Sequence, residues 1–402
     1  MNDAVSAQPF RIGIADHVLE DLRTRLRRSR RLRVLENGGW SGGSDPDYID
    51  ELLRYWRDEF DWRARERELN QLSQYTARVG EASIHYVHEA GHGAQSTPVL
   101  LLHGWPDSFL RYRKVIPQLI GALDSAPEDH SFDVVVPSLP GFAFTGLIPP
   151  FEEIPSIRYS AQLLHRLMTD VLGYRRFVVA GGDGGSAIAQ SMALQFPDSV
   201  LAIHLTDIGW HDNADPQSLS HAERKHAAAA KQRFMEDGAY AAVHADQPRA
   251  LAASLNDSPA GLASWIVDRF HSWVDSPKHL EQSFTKDDLL TNITIYWVTQ
   301  TIESSIYGYL AETRRPSLAP SDYVARPVGL ALFPKDIAGV PPRSLAERSL
   351  NVVHWSEMPG GGHFGAWERP DEFAADLRKF VAALHDPLHP GERHGHRAGK
   401  TL

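Results

Sequence analysis

The feature that most constrains this chain is a set of short stretches that are apolar at nearly every position, not at alternate ones. They fall at 99–102, 132–136, 177–180, 200–205, 328–333 and 350–353. A strand apolar on both faces must be covered on both, which requires helices above and below the sheet. The intervals between them can hold crossover helices, so the expected fold class is α/β with a mostly parallel central sheet.

Between Gly209 and Ala325 that rhythm stops. The segment is rich in Ala and Trp, helical in spacing, and interrupted by Pro at 216, 248, 259, 277, 316 and 320. A helical insertion between two core strands predicts a lid over the edge of the sheet. Ahead of the core, Asp16 is expected to cap a helix whose stripe is Val18, Leu22 and Leu26. Ser44-Asp45-Pro46 is expected to open a second helix that buries Tyr48, Leu52 and Trp56. Residues 75–79 and 84–87, separated by Gly80-Glu81, read as a hairpin. The expected division is an accessory segment over 1–95, core over 96–208, lid over 209–325, core again over 326–384, and a disordered His-rich tail over 385–402.

Composition enters mainly by exclusion. A net charge of −10 argues against nucleic acid as the main partner, since phosphate binding needs clustered Lys and Arg. The arginines between Arg23 and Arg33 form one local basic run, which reads as a solvated helix face. With no cysteine there is no thiolate nucleophile, disulfide framework or Cys-based zinc site, which fits a reducing compartment. The N-terminus shows no basic start followed by an apolar run, and no stretch is long enough to span a bilayer. The expectation is a cytoplasmic protein with no membrane partner and no cofactor; a homodimer is compatible with the sequence.

Three motifs carry chemistry. In Phe177-Val-Val-Ala-Gly-Gly-Asp183-Gly-Gly-Ser186 a strand passes through a tight turn of small residues into a helix-compatible segment. This is the layout of a nucleophile elbow, with Asp183 where a serine often stands. A phosphate-binding glycine loop is the competing reading; it wants a following Lys, and a central Asp would repel phosphate. The second motif is His103-Gly104-Trp105-Pro106 at a strand end. It can aim the Trp105 N–H at an oxyanion beside the N–H of Gly184. His103 reads as structural, and Trp105–Pro106 as a candidate cis bond. The third is Pro359-Gly-Gly-Gly-His363-Phe, a glycine loop after the last strand and the setting of a general base. The chain order nucleophile, acid, base then selects Asp336, directly after a predicted strand, over the plainer reading of a surface loop Asp.

The sequence resembles the microsomal-type epoxide hydrolase family over about residues 9–384. The resemblance is carried by Gly39-Trp40-Ser-Gly-Gly, Trp56-Arg-Asp-Glu-Phe-Asp-Trp62, His103-Gly-Trp-Pro, Asp133-Val-Val-Val-Pro-Ser-Leu-Pro-Gly141, Gly181-Gly-Asp183, Ser254-Leu-Asn-Asp-Ser-Pro, Asp287-Asp-Leu-Leu-Thr-Asn292 and Gly361-Gly-His363-Phe. It implies an α/β-hydrolase fold and an epoxide as small-molecule substrate. It also implies two lid tyrosines that hold the epoxide oxygen, matching Tyr240 and Tyr309, with Tyr307 as the alternative for the second. Pro106 and Tyr307 are expected to line the pocket.

An Asp nucleophile fits that substrate class on chemical grounds. Serine attack on an sp³ carbon would leave an ether, whereas carboxylate attack leaves an ester that water can cleave. The chain departs from the family at Gly184, where Trp is usual, at Asp107 where Gly is usual, and at Phe142-Ala-Phe-Thr145. These departures imply a reshaped, wider pocket and a substrate unlike small xenobiotic epoxides. The competing functions are a haloalkane dehalogenase, which would want an indole beside the nucleophile, and a cyclase or binding protein using the lid as a mould. A serine esterase would need Ser186 as its nucleophile.

Overall fold

The computed structural model describes residues 7–32, 39–80, 82–93, 95–121, 130–147, 156–209 and 217–385. Arg33, Glu81, Pro216 and the tail beyond 385, all named above, lie outside them. The sheet holds β1 (Gln8–Pro9), β2 (Gln74–Val79), β3 (Ala82–Glu89), β4 (Gln95–Leu102), β5 (His130–Pro137), β6 (Gly146–Leu147), β7 (Phe177–Gly181), β8 (Val200–Leu205), β9 (Val324–Leu332) and β10 (Leu350–Glu357). Its order is β1-β2-β3-β5-β4-β7-β8-β9-β10, with β6 beside β3. From β5 to β10 every pairing is parallel, while β1, β2, β3 and β6 form an antiparallel edge. β9 begins at Val324, so the expected restart of the core at 326 falls inside a strand. Phe333 lies just past that strand's end.

Both faces of the parallel strands are buried, and their alternating side chains feed two separate cores. Val99, Leu101, Val178 and Ala180 belong to one; Leu100, Leu102, Phe177 and Val179 belong to the other. Helices α1 (Asp16–Arg28), α2 (Pro46–Asp58) and α3 (Trp62–Leu69) come before the sheet proper. Within the core follow α4 (Ile116–Ile120), α5 (Ile157–Arg166) and α6 (Gly184–Gln195). Between β8 and β9 the chain makes α7 (His221–Asp237), α8 (Ala239–Asp246), α9 (Pro248–Asp257), α10 (Pro259–Trp273), α11 (Leu280–Ser283), α12 (Lys286–Thr299) and α13 (Ile302–Arg314). The last helices are α14 (Arg343–Ala346), α15 (Gly365–Glu368) and α16 (Pro370–His385). Pro248 and Pro259 each open a helix, where a missing N–H removes no bond.

Two details of the first helices differ from expectation. Asp16 is the first residue of α1 and not its cap; its carboxylate pairs with Arg63, and the buried stripe is Leu19, Leu22 and Leu26. In α2, Asp45 is the cap, accepting from the Asp47 N–H at 2.9 Å, and Ile49 takes the core position next to the half-buried Tyr48. Both helices pack on the helical insertion. Trp56 Nε1 donates to Thr294 Oγ1 at 3.0 Å, the Tyr55 hydroxyl to Asp287 at 3.0 Å, and Arg25 pairs with Asp257 at 2.6 Å. No described helix is long and apolar enough to cross a membrane.

Candidate active site

The loops after β4, β7, β8, β9 and β10 leave the same carboxyl-end edge of the sheet, the edge where open parallel sheets place their ligand crevice. Asp183 sits in the turn between β7 and α6 with φ 56° and ψ −130°, a left-handed conformation that a non-glycine residue adopts only when its surroundings enforce it. The enforcement is steric. A Cβ at Gly181 would lie 2.5 Å from the Gly185 backbone, and one at Gly185 would lie 2.1 Å from the Leu102 carbonyl oxygen. One at Gly104 would lie 2.1 Å from Asp183 Oδ1 itself. The turn thus lifts the Asp183 side chain above the sheet, against the loop that follows β4.

There the carboxylate meets two different environments. Oδ1 accepts the Trp105 N–H at 2.9 Å, and the Gly184 N–H also favours the charged form. Oδ2 lies 3.2 Å from His363 Nε2, an ion-pair contact without hydrogen-bond alignment. Burial alone would raise the carboxyl, but His363 and the two amides outweigh it and hold Asp183 at about 2. Of the two N–H groups read from the sequence as an oxyanion hole, that of Trp105 therefore already holds Asp183 Oδ1, and that of Gly184 acts on the same carboxylate. Trp105–Pro106 is a cis peptide.

His363 is 2% exposed. Its backbone N–H donates to the Trp273 carbonyl at 2.9 Å, and its ring stands edge-on to the Trp273 indole, 5.1 Å between centroids. Asp336 Oδ1 is 3.4 Å from Nδ1. Burial disfavours the imidazolium, yet Asp336 and Asp183 on opposite sides of the ring push His363 up to about 10. The loops that carry Asp336 and His363 are tied together by the Lys335 N–H donating to the Gly361 carbonyl at 3.1 Å.

A cavity of about 860 Å³ opens above these residues, lined by Asp183, His363, Tyr240, Tyr309 and Trp105 among others. Tyr240 on α8 stacks on the Trp105 indole at 5.5 Å, and Tyr309 on α13 stands edge-on to that indole at 6.4 Å. Burial, with Asp183 contributing, raises both phenols, so they are protonated donors at neutral pH. Two expected pocket residues are not in the lining. Tyr307 is two positions from Tyr309 on a helix, so it points the other way, and its hydroxyl accepts from Arg249 at 2.8 Å on the outside. Pro106 is buried away from the cavity, its carbonyl accepting from Asn292 at 2.8 Å. Ser186 is no nucleophile, since its hydroxyl donates to the Gly181 carbonyl and to Asp207. His103 accepts the Leu139 N–H at 3.2 Å and contacts the Gly104 carbonyl at 3.0 Å, a loop-shaping role. Among the described residues no group of three His, Asp or Glu side chains is placed to hold a metal.

Comparison with known proteins places this geometry. Residues 7–112 match the family model described as epoxide hydrolase N terminus, and residues 97–269 match the alpha/beta hydrolase fold. The chain is 31% identical to rabbit (Oryctolagus cuniculus) epoxide hydrolase 1, over 94% of this chain and 89% of that protein. The chain belongs to the epoxide hydrolase family. Among solved structures, this hydrolase superposes on the juvenile hormone epoxide hydrolase of the silkworm Bombyx mori with a TM-score of 0.87 at 25% identity, covering 94% and 95% of the two chains. It superposes on the Aspergillus niger epoxide hydrolase with a TM-score of 0.82 at 31% identity, covering 95% and 97%. Its α/β-hydrolase fold and N-terminal epoxide hydrolase segment are those of the family.

Two carboxylates that the sequence motifs did not single out, Asp207 and Glu368, and Asp107, noted there as a departure from the family, also bear on this hydrolase's site. Asp207, just past β8, accepts the Asp183 N–H at 2.8 Å and the Ser186 hydroxyl at 2.9 Å through Oδ2, and the Gly209 N–H at 3.0 Å through Oδ1. It pins the strained turn from behind, while burial and nearby Asp336 push its carboxyl up to about 6. An acidic residue directly after a buried strand was the available signal. Glu368 accepts the N–H groups of Gly362 and Phe364, on either side of His363, and of Asp275 beyond α10; burial raises it to about 7. Asp107 forms a fully buried ion pair with Arg111 and accepts the Gly104 N–H at 3.0 Å. That pairing accounts for an acid at this position of the loop.

Proposed function

We propose that this epoxide hydrolase opens its substrate through a covalent ester on Asp183. The observation that carries the reading is the asymmetric setting of that carboxylate, one oxygen accepting the Trp105 N–H and the other lying against His363. Oδ2 attacks a ring carbon from behind and the carbon–oxygen bond of the ring breaks. Tyr240 and Tyr309 hold the departing oxygen and one of them supplies its proton, because a free alkoxide is a poor leaving group. Ester formation removes the Asp183 charge, and with it one of the two attractions that keep His363 protonated. The His363 proton then passes to the tyrosinate left by ring opening, and the neutral ring, oriented by Asp336, takes a proton from water as the resulting hydroxide attacks the Asp183 carbonyl carbon. The oxyanion develops on Oδ1, already within reach of the Trp105 and Gly184 amides. Collapse expels the diol, whose second oxygen takes the proton held by His363, and the Asp183 carboxyl that forms passes its own proton back to the ring, which restores the resting carboxylate and imidazolium. The active form needs neither metal nor organic cofactor, and a chain without cysteine suits the cytoplasm.

A single turnover in heavy-oxygen water with enzyme in excess tests this. The label should enter the Asp183 side chain and be absent from the first diol released. Label in that first diol, with none in Asp183, would mean direct attack by water and would end the proposal.

A further inference from the structure

Five glycines surround the nucleophile, and four are sterically required. Added Cβ atoms at Gly104, Gly181, Gly182 and Gly185 would all lie within 2.5 Å of another atom. Gly184 differs. A Cβ there would meet nothing closer than the Gly104 Cα at 3.9 Å, ordinary van der Waals contact, and its φ is not in the left-handed region. Nothing in the backbone forbids a side chain, so the residue's bareness is room given to the cavity it lines.

That room continues along one face of α6. Gly184, Ala187, Ile188 and Leu194 line the cavity, with Gln190 the one polar α6 side chain among them, at spacings that keep them on one side of the helix. Ten residues at 1.5 Å rise make this wall about 15 Å long, with Asp183 at one end. From the insertion, the small residues Ala241 and Ala245 on α8 and Gly308 on α13 line the cavity, together with Phe234 on α7 and Glu312 and Thr313 on α13. Small residues on both sides over such a length leave an elongated, mainly apolar slot leading away from the reacting carboxylate.

Building on the hydrolase reading, we infer that the substrate is an epoxide carrying a long, unbranched apolar chain, seated along α6 with its ring at the Gly184 end. Gly184 and Ala187 are the specificity-determining positions. A compact epoxide would engage Asp183 and the tyrosines and leave most of the slot empty; a long chain would exchange water for apolar wall along its length.

The test is a series of terminal epoxyalkanes, from butane to tetradecane, at concentrations below micelle formation. Wild-type kcat/KM should rise by about fourfold per added methylene, the equivalent of ~0.8 kcal/mol, until the slot is filled. Gly184→Phe and Ala187→Phe should each flatten that rise, read as the ratio of long- to short-chain kcat/KM within one preparation, which cancels any loss of folded enzyme. Short epoxides hydrolysed with no gain along the wild-type series would overturn the slot and leave the hydrolase reading intact. So would a wild-type slope kept by both variants. Should neither variant fold, the wild-type series still decides. If no epoxyalkane of any length is turned over, the hydrolase reading fails and the slot falls with it.

Discussion

Replacing Asp183 by Asn should drop the titration of His363 by several pH units, because it removes one of the two carboxylates that keep the ring protonated, a dependence that the proposed mechanism uses as a switch. Asp183 Oδ2 and His363 Nε2 are 3.2 Å apart. At an effective dielectric of about 20, opposite unit charges at that distance attract by roughly 5 kcal/mol. Divided by 1.36 kcal/mol per unit, this is roughly 4 pH units. Subtracted from the resting value of about 10, it leaves the ring near 6. The resting enzyme therefore holds an imidazolium beside Asp183, and in the proposed mechanism the ring becomes a base at neutral pH only once that carboxylate has lost its charge. Asn is nearly the same shape as Asp and uncharged, as the ester is, so Asp183→Asn imitates the alkyl-enzyme at this contact. The measurement is an NMR titration of the His363 ring nitrogens in wild type and variant. A ring still protonated above pH 8 in Asp183→Asn would refute the reasoning, since water activation would then need another source of basicity.

Other consequences can be checked one by one. Tyr240→Phe and Tyr309→Phe should each slow ring opening by roughly a hundredfold, seen as slower build-up of alkyl-enzyme in rapid-quench intact mass; an unchanged rate for both would remove them from proton donation. Asp207→Ala frees the Asp183 N–H from its acceptor and should lower kcat at least tenfold with little change in KM, whereas Asp207→Asn, which keeps a carbonyl acceptor, should recover most of it. Equal losses in the two variants would show that Asp207 acts by charge and not by holding the turn. Asp376 accepts from His204 and His354, each at 2.8 Å, and although burial opposes it these partners hold its carboxyl well below the usual range. Its stabilisation is therefore complete above the unfolded value near 4 and is lost as pH falls through the lower folded value. Asp376→Ala should cost about 2–4 kcal/mol in urea unfolding at pH 7 and shrink the acid limb of the stability profile; a profile with an unchanged acid limb would contradict this.

The parts of the site that were legible in the sequence are those where backbone geometry forces residue type. The turn around Asp183 admits only glycine at 181, 182 and 185, so it leaves a dense local signature, and the same holds for the glycine loop before His363. Strands buried on both faces were legible because nothing polar can replace their side chains. Their ends were not: β4 runs from Gln95 and β10 to Glu357, beyond the apolar stretches. Outer residues of these strands need only one neighbour to complete their ladder, and polar side chains are tolerated there. Asp207 and Glu368 were missed because their role is to accept backbone N–H groups from residues brought close by folding, which imposes no spacing on the sequence. The resemblance matches Tyr309, with Tyr307 as the alternative, because it aligns segments and does not show which way a side chain turns; in the fold Tyr309 faces Trp105 and the cavity, while Tyr307 bonds Arg249 outside it.

The attachment of α1 and α2 to the helical insertion bears on how substrate gets in. Arg25, Tyr55 and Trp56 join the front of the chain to α9 and α12, while β1 and β2 of the same front segment are sewn into the sheet edge. One stretch of polypeptide thus grips both jaws, like a strap buckled across a hinge. A wholesale swing of the roof would tear those bonds together. Epoxide entry and diol exit are left to small local adjustments around the mouth, and cutting the strap should loosen the roof without touching a single residue that performs the reaction.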